Sequence, residues 1–209
     1  KKILFCAHDA GGGNILLPII EKLIKNNKLI LYPTGPSKQL WINFKSYFVT
    51  KKQIDYNAID LIITGTSHFS DTERNIWYHS YKKKIKSIAL LDNSTNVEER
   101  FKYLLKEKNI FPHEIFVLSK VCKETVSKLN PSLRVRIIQS PLMNYFSKIN
   151  KNNSIDNNLI LYFCSSKNNM KFEIQANIIN KIIKILNPKY KFLIKPHPND
   201  KYNFWEKNF

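Results

Sequence analysis

Acidic side chains are scarce: 16 Asp and Glu stand against 34 Lys and Arg, a formal charge of +18. Such an imbalance suits nucleic acid, an anionic membrane face or anionic substrates. The excess is mostly Lys among abundant Asn and Ile, a composition that an A/T-rich genome also writes. The lysines are scattered and no nucleic-acid motif appears, so nucleic acid is not an expected partner. Cysteine is almost missing. Cys6, Cys122 and Cys164 are an odd number without close pairing or metal-type spacing, which argues against a disulfide framework or a zinc site. Cys6 and Cys164 fall in apolar runs and are expected to pack as small hydrophobes. No apolar run approaches the roughly 18 residues of a membrane span, and the start of the chain does not resemble a cleavable signal. The expectation is a cytoplasmic protein with a peripheral attraction to anionic lipid. An Asp-x-Asp motif is absent too, so no metal is expected, and no cofactor beyond a nucleotide-activated substrate.

Glycine is equally rare, and three of the five glycines are consecutive. They lie in His8-Asp9-Ala10-Gly11-Gly12-Gly13-Asn14, between a strand-length apolar run, Ile3 to Ala7, and Ile15 to Ile24 with helical spacing. Two readings stand side by side. The loop is a phosphate cradle at a helix N-terminus, or a tight turn that needs backbone freedom and holds no ligand. It matches neither G-x-G-x-x-G nor the Lys-terminated phosphate loop.

Strand and helix patterns then alternate. Strands are expected at 29–32, 47–50, 61–64, 87–91, 115–118 and 135–139, with helices at about 37–44, 71–82, 97–108 and 120–129 and a short one beyond Pro141. This order predicts parallel β-α-β units in a doubly wound, Rossmann-like α/β sheet. Ligands of such sheets bind at the carboxyl ends of the strands. That rule collects His8 to Asn14, Gly65, Thr66, Ser67 and His68, Asp92 to Ser94, and Ser140 on one edge. Thr66 and Ser67 could line the cleft or serve as ordinary caps. Asp92 could bind hydroxyls or make an Asx turn.

Residues 148–158 are polar, Asn-rich and aperiodic, a linker between a first domain at 1–147 and a second α/β unit at 159–209. The second unit has room for two strands and one long helix. Together with the missing initiator Met, this predicts part of a longer protein, with roughly 100 further residues completing a domain. Its last strand ends in Lys195-Pro196-His197-Pro198. Two prolines stiffen the backbone around an imidazole that can donate to a phosphate or move a proton. Ser165 and Ser166 end the strand before it.

The glycine loop, the nucleotide-fold pattern, the linker and Lys-Pro-His-Pro together resemble the two-domain GT-B glycosyltransferases. The likeness is to bacterial surface-polysaccharide enzymes: capsule sialyl- and Kdo-transferases and CDP-glycerol glycerophosphotransferases. The resemblance implies a nucleotide-sugar donor whose phosphate meets His197 and Pro198, with Lys195, Ser165 and Ser166 nearby. It also implies a glycan or lipid-linked glycan acceptor and a base in the first domain, for which Asp9, His8 and Asp92 are the candidates. Gly11, Gly12, Gly13, Asn14, Thr66 and Ser67 would form the acceptor or phosphate loop. Asp9-Ala10-Gly11 departs from the sialyltransferase pattern, which pairs two acidic residues before the glycine. A non-hydrolysing nucleotide-sugar epimerase shares the bilobal plan and a His-Pro element and is the alternative enzyme. A noncatalytic binding or scaffold module is the alternative outside enzymes.

Overall fold

In the computed structural model, which describes residues 1–103, 108–149, 158–165 and 170–197, β1 (Lys2–Ala7) is fully buried from Ile3 onward. Its alternating side chains feed two cores, because successive strand residues point to opposite faces. Ile3, Phe5 and Ala7 pack with Ile15, Leu16 and Ile20 of α1 (Ala10–Leu23), and with Leu29 and Leu31 of β2 (Lys28–Pro33). Leu4 and Cys6 face the opposite side, against Ile62 of β3 (Leu61–Thr64) and Ile76 of α3 (Thr72–Lys82). α2 (Ser37–Leu40) is a short turn of helix. A third cluster joins β4 (Ser87–Leu91) and β5 (Glu114–Val117) to Trp77, Phe101 and Cys122, the last in α4 (Lys120–Leu129). β6 (Arg134–Ile137) and α5 (Pro141–Ile149) complete this set.

The five pairings within this six-stranded sheet are all parallel, and its order is β2-β1-β3-β4-β5-β6. This is the doubly wound, Rossmann-like α/β fold expected from the sequence. Both faces of the sheet are covered, as parallel sheets require.

Two expected elements are absent. The segment 47–50 makes one bridge, Phe48 to Leu31, and not a strand. A capping box between Thr50 and Gln53 turns the chain into a 3₁₀ turn, Lys51–Gln53. The expected helix at 97–108 is replaced, in its described part, by a turn and an antiparallel bridge between Lys102 and Asn109. Asn96 takes a left-handed φ of 51° there, and Phe101 is fully buried against Trp77 and Phe111.

The chain divides into two units, Lys1–Lys151 and Asn152–Phe209. In the second, β7 (Leu159–Phe163) and β8 (Lys191–Lys195) pair in parallel around α6 (Phe172–Ile185), a β-α-β unit. Cys164 and Ile179 are its buried centre. Most of the expected linker, 150–157, lies outside the described residues. Among the described residues no helix is long and apolar enough to cross a membrane.

Candidate functional site

β1 is flanked by β2 on one side and β3 on the other, so the strand order reverses at β1, and the carboxyl ends of β1 and β3 are the usual ligand position in such sheets. Here Gly12 and Gly65 meet backbone to backbone. A β-carbon on Gly65 would stand 2.8 Å from the Gly12 Cα. Each glycine of the loop answers a different neighbour. A β-carbon on Gly11 would lie 1.9 Å from Asp92 Oδ2, and one on Gly13 would lie 2.6 Å from Ser37 Oγ. Close internal neighbours thus meet all three glycines, which lie in the first turn of α1 without a left-handed backbone. Asn14 follows them, half-buried in α1.

Asp92, which follows β4, lays its carboxylate over the first turn of α1, where the helix dipole favours negative charge. Its Oδ1 accepts from Arg100 Nη1 at 2.7 Å, and its Oδ2 accepts from Asn93 Nδ2 at 3.1 Å. The same Arg100 nitrogen donates to the carbonyl and hydroxyl of Thr66, at 3.1 and 2.9 Å. Thr66 is thereby fully buried and its hydroxyl engaged. Ser67 is also buried; its carbonyl accepts from Arg74 Nη1 at 2.7 Å, while its hydroxyl has no partner among the described residues. Arg74 reaches on to the carbonyls of Arg100 and Ser70, both at 2.6 Å. Two buried guanidiniums thus tie the loops after β3 and β4 into one rigid floor.

Asp9 precedes α1 without capping it; its Oδ2 accepts from the His68 N–H at 3.2 Å instead. His8 Nε2 lies 4.0 Å from Asp9 Oδ1. The His8 ring packs under Gly35, whose φ is +48°, and its Nδ1 is 2.9 Å from Thr34 Oγ1. Thr34 in turn donates to Thr72 Oγ1. His8, Asp9 and Asp92 therefore do gather at one sheet edge, together with the glycine loop.

Beneath them lies Glu73, which sequence reasoning did not single out. Its Oε1 accepts from the His8 N–H at 2.8 Å. Its Oε2 is buried with no hydrogen-bond partner among the described residues. Burial, aided by the nearby Asp9 charge, pushes this carboxyl up to about 7, against the pull of its backbone hydrogen bonds and Arg74. An acidic residue in a helix's first turn is ordinarily solvated, so nothing local marked it. Arg100 escaped for another reason: its segment has helical periodicity but folds as a turn.

In the second unit, register pairs Phe163 with Lys195, so Ser165 and His197 follow the carboxyl ends of adjacent strands. The Ser165 N–H donates to Gln175 Oε1 at 2.8 Å, and Gln175 Nε2 returns a bond to the Ser165 carbonyl at 2.9 Å. This buried glutamine sets the loop after β7. Lys195 is exposed and His197 half-buried. Ser166 and Pro198 lie outside the described residues. Among the described residues no group of His, Cys, Asp and Glu is arranged to hold a metal ion.

No protein-family model matches the sequence, and no curated protein matches it. Solved structures do. The Staphylococcus aureus MnaA structure with UDP matches with a TM-score of 0.66 at 11% identity, over 98% of this chain and 64% of that one. A UDP-GlcNAc 2-epimerase from Neisseria meningitidis bound to UDP-GlcNAc matches with a TM-score of 0.61 at 15% identity, over 95% of this chain and 67% of that one. A Listeria monocytogenes protein described as a UDP-N-acetylglucosamine 2-epimerase gives 0.61 at 12% identity, over 95% and 63%. The likeness establishes the α/β, GT-B-like fold. The chain spans about two thirds of the length of these structures.

Proposed function

We propose that the protein binds a nucleotide-activated sugar and inverts a centre of that sugar, the epimerase reading, instead of passing the sugar to an acceptor. The observation that carries the proposal is a fold shared, over nearly the whole chain, with structures holding UDP and UDP-GlcNAc. The carboxyl edge of the sheet holds the side chains that could do such a reaction's proton transfers. Inversion at a carbon requires breaking and remaking a bond there, with protons moved by positioned acids and bases. Asp92, held in place by Arg100, is the first candidate for that work, and His8 and Asp9 stand beside the glycine loop as the others. In the second unit, His197, Lys195 and Ser165 are the candidates for holding the nucleotide phosphates, where cationic and N–H donors are strong partners.

The test is turnover of UDP-GlcNAc by the protein, followed by NMR of the sugar carbons. A changed configuration without any acceptor is the expected result. Conversion only when a glycan acceptor is added would replace epimerisation by glycosyl transfer. No conversion under either condition would leave a noncatalytic binding module.

A further inference from the structure

Part of the positive charge that looks scattered in the sequence meets at one surface cavity. Between Glu21 and Asp55 the chain carries seven lysines and no carboxylate side chain. Three of them, Lys38, Lys45 and Lys51, line a cavity of about 560 Å³ together with Tyr32, Pro33 and Phe48. That volume lies in the range of small-molecule sites. None of these three ammonium groups forms an ion pair with a described residue. Lysines converging on a concavity with no counter-charge raise the local positive potential, which an anionic ligand relieves. The field is felt nearby. The His79 imidazole is held below its usual pKa, by burial first and then by Lys51 and Lys82.

The walls are fixed. The Val49 N–H donates to the Leu31 carbonyl at 2.9 Å, which fastens the far wall to β2. The Thr50 N–H and hydroxyl both donate to Gln53 Oε1, at 2.8 and 2.9 Å. The cavity also adjoins the candidate site, since Pro33 lines it and the next residue, Thr34, holds His8. Tyr32 and Phe48 supply the aromatic surface and Gln53 an amide, the mixture that suits a sugar ring more than an ion alone.

We infer that this cavity is a binding site for an acidic saccharide, a sugar unit bearing a carboxylate or a phosphate, placed beside the nucleotide-sugar site. The inference rests on the nucleotide-sugar reading for its setting, and the saccharide itself is recognised by the three lysines. A concave site of this size favours a single sugar unit over a flat lipid surface.

The experiment is an amide NMR titration of the whole chain with glucuronic acid and glucose 6-phosphate, with glucose and inorganic phosphate as controls. A parallel titration uses UDP, and a sedimentation assay uses phosphatidylglycerol vesicles. Shifts at Tyr32 and at Val49 to Gln53 with both acidic sugars, and none with glucose, are expected. The exposed triple variant Lys38→Gln/Lys45→Gln/Lys51→Gln should lose at least tenfold in acidic-sugar affinity and keep its UDP affinity within twofold. Equal responses to glucose and glucuronic acid, an unaltered triple variant, or vesicle binding alone would each overturn the inference. Inorganic phosphate binding as tightly as glucose 6-phosphate would overturn the saccharide assignment. A chain that takes acidic sugars at these residues but not UDP would support the cavity and sink the nucleotide reading.

Discussion

The carboxylate of Asp92 fills the space that a side chain at residue 11 would need, 1.9 Å from where a β-carbon on Gly11 would be. Gly12 is instead closed off by the backbone of Gly65. Alanine at these positions should therefore do two different things. Gly11→Ala gains about 1 kcal/mol of helix propensity but drives Asp92 off the buried Arg100 guanidinium, a loss of about 3–5 kcal/mol, so the Asp92–Arg100 arrangement goes and stability falls with it. Gly65→Ala meets backbone that cannot swing away and should cost about 1–3 kcal/mol as overpacking. Urea denaturation of both variants, with UDP-GlcNAc turnover alongside, separates the effects. Turnover that survives in Gly11→Ala would detach Asp92 from the chemistry.

Asp92→Asn keeps the size of the side chain and one acceptor for Arg100, gives up the bond from Asn93, and removes the basicity. If Asp92 moves a proton in the reaction, turnover should fall roughly 10²-fold or more with nucleotide affinity nearly unchanged. Steady-state kinetics combined with calorimetric UDP binding reads both quantities. A normal rate would move the role to His8 or Asp9.

Glu73 should set a pH dependence of stability. Its carboxyl titrates near 7 in the folded chain against an ordinary 4.5. Between those values the folded state holds a proton that the unfolded state has released. The resulting stabilisation is complete below about pH 4.5 and disappears as the pH rises through 7, a change of roughly 3 kcal/mol. Glu73→Gln keeps an acceptor for the His8 N–H and cannot titrate. The stability difference between wild type and variant, from denaturant curves at pH 5 to 8, should shift by that amount in favour of the variant as the pH rises. A difference that stays flat across this range would contradict the buried, protonated Glu73. Taking the difference also cancels His79 and His113, whose lowered pKa values act in the opposite direction.

The legibility of the fold and of the site followed from how local each signal was. β1, the glycine loop and α1 were readable because an apolar run, a break and a helical period stand next to one another. The strand ends of β3 and β4 followed by the same pattern, and with them the placing of Asp9 and Asp92 on one edge. Glu73, Arg74 and Arg100 were not readable. Their roles depend on carbonyls and N–H groups 4 to 65 residues away, and in sequence they look like the solvated charges of ordinary helices. The segment 47–50 has strand composition. Its pairing stops after one residue because the Thr50–Gln53 capping box ends it.

The measurement that bears most directly on the nucleotide-sugar reading is an amide NMR titration of the chain with UDP-GlcNAc. The account predicts saturable shifts at Gly11 to Asn14 and at Asp92 to Ser94, together with shifts at Ser165 and His197. No shifts at millimolar ligand, or shifts confined to the amino edge of the sheet around Lys86, Glu114 and Arg134, would contradict it.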